Sequence, residues 1–311
     1  MCGRTALSLN KEQLQCACSY KPRGRDKYVK PEWIAEFNDG KDYIPSNNIA
    51  PTDVTPILVS NAKFSNSAHT EKILKPMMWG IIPPWHEGDY KKHNLSTNNC
   101  RIENISTSKL YSPLLQSGGR CVVVVEGFYE WQTTDKTTKF KQPYYIYSPQ
   151  ESEIKIEDSQ TWCNQYSEDT GWKGIKLLFI AGLYNVWQHE ETVMYSYSVI
   201  TMNSNSTFDW LHHRMPAILT TLEQIDAWLD VEQVKSDMAL QYLKPVQLLS
   251  WHPVSTIVNN SRNKSQECNK KYISKANKSQ QKTLTSWFMP SGKRKLSNEN
   301  SSNNNSKKVK K

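Results

Sequence analysis

The sequence predicts an α+β fold: one strand-rich domain of about 260 residues followed by a disordered tail. Three observations point there. Segments dense in β-branched and aromatic residues recur through the first 200 positions. Helix start signals are few, and they do not alternate with strands as a doubly wound sheet requires. After about Asn260 the composition turns to Ser, Asn, Gln and Lys.

Taken in order, the first element is a helix over Asn10–Cys18, with Asn10 as its cap and Gln13 at the capping-box position. Asn98, Asn99 and Arg101 form a polar cluster whose composition predicts a loop. Strands follow at Val122–Val125, running into Gly127 and Phe128, then at Tyr144–Tyr147, Lys176–Val186 and Val193–Met202. Between Gln150 and Gly171 lie four Glu and two Asp against one Lys, the composition of a solvated surface insertion. A second helix starts at Thr221, with Gln224 three residues on and Ile225, Trp228 and Leu229 on one face.

Charge separates the two parts. Met1–Asn260 holds 25 basic and 28 acidic residues, whereas Ser261–Lys311 holds 14 basic and 2 acidic ones. The net +9 is therefore a property of the tail, and the body must hold any polyanion through a few placed side chains. No apolar run approaches the roughly 20 residues of a membrane span, so no membrane partner is expected. The opening MCGRTALSLN lacks the basic-then-apolar layout of a signal peptide. Seven irregularly spaced Cys read as reduced thiols, and Cys16 and Cys18 are too close for a zinc pair, so neither metal nor cofactor is expected.

Four groups could carry chemistry. Cys2 follows the initiator Met, which is removed before small residues, and the mature chain then begins with a free 1,2-aminothiol. Such a group condenses with an aldehyde to an imine, and the thiol closes on that carbon to form a thiazolidine. An α-amine with a pKa of about 7.7–8.0 is partly neutral at pH 7, where a lysine near 10.4 is not. Glu130, between two aromatics in GFYEW (127–131), sits where desolvation raises a carboxylate towards proton-transfer duty. In His212-His213-Arg214-Met215-Pro216, His212 offers a proton donor beside a guanidinium suited to phosphate. Asn99 and Arg101 make up the fourth group.

The motifs MCGR, PSNNIAP (45–51), MMWGIIPPW (77–85), NCR (99–101), EGFYEW (126–131), HHRMPAIL (212–219) and SWHPVSTIVNNSRN (250–263) resemble, in this order, the SOS response-associated peptidase (SRAP) family. The resemblance covers 2–261 as one domain, implies a β-barrel-like core with flanking helices, and leaves 262–311 as the tail. It implies a covalent shield for abasic sites in single-stranded DNA: Cys2 as nucleophile, Asn99 orienting the sugar and the amine, Glu130 shuttling protons and assisting reversal, and His212 as the acid that opens the sugar ring. It also implies phosphate contacts from Arg4, Arg101 and Arg214, and base stacking by Trp85 and Trp131. Two other readings stay open at this level. The same Cys, Glu and His could attack an acyl carbon, as in a cysteine peptidase or autopeptidase. A non-covalent reader of modified bases would use the aromatics and arginines without needing Cys2.

In the tail, Gln281, Leu284, Trp287 and Phe288 have the spacing of a sliding-clamp (PCNA) binding peptide, in which one helical turn gathers the apolar three into a plug. The basic clusters 293–295 and 307–311 resemble nuclear-import signals. The expectation is a monomeric nuclear protein acting at replication forks.

Overall fold

The start signals place the helices as expected. In the computed structural model, which describes residues 3–64, 70–135, 137 and 139–273, Asn10 caps α1 (Lys11–Ala17) through a complete capping box with Gln13. Three short helices follow: α2 (Tyr111–Gln116), α3 (Leu222–Leu229) and α4 (Ser236–Leu240). Thr221 and Gln224 form the matching box on α3, which buries Ile225, Trp228 and Leu229.

Strands dominate. In chain order they are β1 (Thr5–Leu7), β2 (Glu32–Trp33), β3 (Ser46–Ile49), β4 (Val54–Ser60), β5 (Lys72–Trp79), β6 (Asn99–Arg101), β7 (Arg120–Val125) and β8 (Gly127–Trp131). Then come β9 (Pro143–Tyr147), β10 (Gln165–Ser167), β11 (Gly171–Lys173), β12 (Leu178–His189), β13 (Thr192–Asn203), β14 (Arg214–Pro216), β15 (Ile218–Leu219) and β16 (Ser250–Pro253). One sheet has the order β16-β9-β8-β1-β3; the larger runs β14-β13-β12-β7-β4-β5-β2, with β6 on β13 and β15 on β12.

The two sheets share chain at their corners. β7 belongs to the large sheet and β8 to the small one, so the backbone changes sheet at Glu126, and it changes again between β3 and β4. The sheets thereby curl about one core, the barrel-like arrangement expected. Ile57, Val122, Val124, Ile180, Leu183 and Ile200 fill it, all essentially inaccessible to water. β7 is buried along its whole length and apolar from Cys121 to Val125 because both its faces are covered.

Three expectations need amendment. Residues 99–101 are a strand rather than a loop: β6 lies parallel to β13, with Val199 opposite Asn99 and Thr201 opposite Arg101. Residues 262–272, expected at the start of the tail, pack on the body instead. Cys268 is fully buried, Val254 bridges to Lys271, and the Tyr272 N–H donates to the Pro253 carbonyl at 2.7 Å. The acidic segment 150–171 stays at the surface as its charge requires, yet it is tied down. Ile156 is buried, β10 and β11 form a hairpin, and the Tyr28 N–H donates to the Glu168 carbonyl. The tail from 274 onwards, with Gln281, Leu284, Trp287 and Phe288, lies outside the described residues.

Candidate active site

β8 carries the centre of the site, and its first residue has to be glycine. A Cβ on Gly127 would lie 2.6 Å from the Ile146 carbonyl oxygen and 2.5 Å from the Tyr145 ring, inside van der Waals contact. Alternation then sends Phe128 and Glu130 to one face of the sheet and Tyr129 and Trp131 to the other. Glu130 is 3% exposed, and that burial raises its carboxyl above the ordinary carboxylate range.

The turn after β13 is laid on the face that Glu130 shares with Phe128. Phe208 packs on Phe128 with ring centroids 6.1 Å apart, and the Thr133 N–H donates to the Leu211 carbonyl at 3.1 Å. The Thr134 hydroxyl donates to the carbonyl of Trp210. These contacts bring His212 to the end of β8. Its ring is buried and stacks on His213. The Arg214 N–H donates to Nδ1 at 3.0 Å, which leaves the ring proton on Nε2. Desolvation pulls the imidazole pKa down to about 4, so the resting ring is neutral at pH 7. The acid role implied for His212 therefore requires that it first take up a proton. The Arg214 carbonyl, 3.2 Å from the same nitrogen, stands ready to accept from a protonated Nδ1.

β1 enters from the other flank of β8. Thr5 pairs with Phe128, and the Arg4 carbonyl accepts from the Tyr129 N–H at 2.9 Å, which brings the N-terminal end of β1 alongside the residue before Glu130. Cys2 itself lies outside the described residues. The Arg4 guanidinium donates to Asn48 Oδ1 and to the carbonyls of Val258 and Asn259. Trp131 Nε1 donates to Asn259 Oδ1 at 2.8 Å, which brings Arg4 and Trp131 onto one segment.

A second group of the expected residues flanks the end of β13. On β6, Cys100 enters the core while Asn99 and Arg101 share the opposite face, Arg101 exposed. On β14, Arg214 is buried and already engaged. It grips Glu103 with both arms, at 2.5 and 3.0 Å, and donates further to Asn203 Oδ1 and the Thr201 carbonyl. A phosphate would compete with Glu103 for that fork. Trp85, in the β5–β6 connection, stands 57% exposed, as a stacking residue must and a core tryptophan does not. Among the described residues, no three His, Cys, Asp or Glu side chains are arranged to hold a metal ion.

A strand leading from the N-terminus to a buried Glu in GFYEW, with a neutral His at its end, coincides with a family match over residues 1–261 to the SOS response associated peptidase (SRAP) description. The chain belongs to the SRAP family. Its relatives include the abasic site processing protein HMCES of Xenopus tropicalis, 42% identical over 273 residues, covering 86% of this chain and 77% of that one. The abasic site processing protein YoqW of Bacillus subtilis is 28% identical over 245 residues, covering 78% of this chain and 93% of its own. A solved structure of a Bacteroides thetaiotaomicron protein shares the SRAP fold, with a TM-score of 0.61 at 18% identity, covering 88% of this chain and all of that one.

Sequence reasoning missed the residues of this SRAP domain that hold the others in place. Asn48 is fully buried in PSNNIAP and donates to the carbonyls of Val258, Asn260 and Asn263 while accepting from Arg4. Glu103 occupies Arg214 from 111 positions away. No local signal distinguishes either from an ordinary surface polar residue.

Proposed function

We propose that this protein captures abasic sites in single-stranded DNA as a covalent thiazolidine on Cys2, shielding the lesion at replication forks. The observation that carries this reading is the delivery of the N-terminal strand to the flank of Glu130, at the end of β8 where His212 also lies. Family membership and the names of the relatives support the choice of substrate.

In this reading the neutral α-amine of Cys2, freed by loss of Met1, adds to the C1 aldehyde of the ring-opened sugar. Glu130, whose burial favours its protonated form, gives a proton to the carbinolamine hydroxyl, which leaves as water, and its carboxylate takes the nitrogen's proton in return, yielding the imine. The Cys2 sulfur then adds to the imine carbon, its proton ends on nitrogen, and the five-membered ring closes. One water is lost overall, and no oxidant or metal is consumed. His212 takes and returns the proton of the sugar hydroxyl during ring opening, and Asn99 orients the sugar. Glu130 running the same steps backwards reverses the link. Arg4 and Arg101 meet phosphates, Arg214 joins them when a phosphate displaces Glu103, and Trp85 and Trp131 stack on bases, which gives a body without excess positive charge a grip that does not depend on sequence.

Incubation with uracil-excised single-stranded DNA should give a heat-stable adduct, and mass spectrometry should find Met1 absent and one DNA strand added per chain. Cys2→Ala should abolish the adduct; an undiminished adduct in that variant refutes the reading. The tail adds recruitment: Gln281, Leu284, Trp287 and Phe288 engage the sliding clamp, and the basic clusters direct nuclear import. Pull-down of the full chain by the clamp should disappear in a Trp287→Ala, Phe288→Ala double variant, and retained binding would remove that assignment.

A further inference from the structure

β1 is the element that must hold Cys2 in line, yet its own ladder is slight. It has three residues, pairs with β8 at only Thr5 and Ala6, and shifts register against β3 between Thr5 and Leu7. A one-residue slip in such a strand would turn every side chain to the opposite face. What holds it is a carboxyl group at the corner where the chain passes from the large sheet to the small one. Glu126 is fully buried. Its Oε1 accepts from the N–H groups of Ser8 at 2.6 Å and Leu9 at 3.0 Å, and the Ser8 hydroxyl lies within 2.9 and 3.1 Å of its two oxygens. Its own N–H donates to the Ala6 carbonyl. The Tyr43 hydroxyl completes the clamp against the carbonyls of Leu7 and Leu9, at 2.7 and 2.9 Å.

We propose that Glu126 is a positioning residue: by gripping residues 6–9 it fixes the register of the N-terminal strand, so that covalent capture depends on a carboxyl group that never touches DNA. The inference rests on the capture reading above. The geometry also explains why this position takes a carboxyl rather than an apolar group, since an apolar side chain would leave two backbone N–H groups buried without acceptors. The clamp survives a change of protonation. A protonated Oε2 donates to the Ser8 oxygen, and an ionised one accepts from the Ser8 hydroxyl. Burial holds the Glu126 pKa at about 7. The titratable groups facing it are the phenols of Tyr43, Tyr129 and Tyr145, each pushed upward by burial and neutral in this range. A glutamine, with one oxygen for the two N–H groups and an amide donor for Ser8, can replace it.

The test uses the full chain with Cys2 in place and a single-stranded oligonucleotide carrying one abasic site. Glu126→Ala should slow adduct formation roughly ten- to a hundredfold, because a small misplacement of the nucleophile suffices for that loss. Affinity for undamaged single-stranded DNA, measured separately, should stay within about threefold. Glu126→Gln should restore the rate to within about threefold of wild type, because it keeps the same hydrogen bonds. A folded Glu126→Ala variant that captures at the wild-type rate overturns the proposal, and so does a Gln variant as slow as the Ala one. If Glu126→Ala does not fold, Glu126→Leu, which fills the same space without an acceptor for the Ser8 and Leu9 N–H groups, takes its place, and wild-type capture by it is equally fatal. Absence of any adduct with the wild-type chain would sink the capture reading and this inference with it.

Discussion

Glu130→Gln should slow covalent capture of abasic DNA by roughly 10²- to 10⁴-fold, the usual contribution of a positioned general acid or base. The substitution is nearly isosteric but cannot deliver a proton, so binding to undamaged single-stranded DNA should hold within about threefold. The pH profile identifies the group. In the wild type the rate rises as the α-amine loses its proton, near about 7.7–8.0 in an unperturbed chain. A second limb, downward with rising pH, follows the ionisation of Glu130, which burial shifts above the ordinary carboxylate range. The Gln variant should lose that second limb. His212, with its pKa near about 4, is neutral across this whole window and contributes no limb to it. An unchanged rate and profile in Glu130→Gln would remove Glu130 from the chemistry.

The same burial shapes stability. Glu126 and Glu130 both have folded pKa values raised above the unfolded ones, so their stabilising effect is complete below about pH 4.3 and is lost as pH rises through the folded values. For Glu126 the folded value is about 7. His212 runs the other way: its contribution is present above about 6.5 and is lost as pH falls towards about 4. Thermal melts of Glu126→Gln should therefore match wild type near pH 4 and exceed it at pH 8.

Asn48→Ala should be the most destabilising single change among the polar residues around the site, by roughly 3 kcal/mol. The side chain serves three carbonyls and one guanidinium from a fully buried position, and alanine removes all four bonds at once, leaving Arg4 and the Val258 carbonyl only each other at that end. The segment it holds also carries Asn259, which fixes Trp131, and the Val258 carbonyl, which fixes Arg4. Loss of melting temperature should thus come with weaker binding to single-stranded DNA. A variant with wild-type melting behaviour would show that the 258–263 segment is held by other contacts.

Local patterns were legible because their causes are local. Asn10 with Gln13 and Thr221 with Gln224 close their caps within four residues, so composition announces both helices. The run Val122–Val125 and the GFYEW strand are read from side-chain type alone. β6 was not legible. Three polar-flanked residues become a strand only because β13, a hundred positions later, offers them a parallel partner. Residues 262–272 are polar in composition, and they are held to the body by the buried Cys268 and by bonds to Asn48, Asp53, His252 and Pro253, none of which lies in the segment itself.

The candidate site divides in the same way. The groups proposed for its chemistry could be named from the sequence because a Cys after the initiator Met, a carboxyl between aromatics and a His-x-Arg carry their chemical character in the side chain itself. Their protonation states and their freedom could not. That His212 is neutral, that Arg214 already grips Glu103 and that Glu126 clamps β1 are consequences of burial and of partners more than a hundred residues distant. Desolvation and long-range hydrogen bonds exist only once the two sheets have closed on each other, so those properties were decided by the tertiary structure alone.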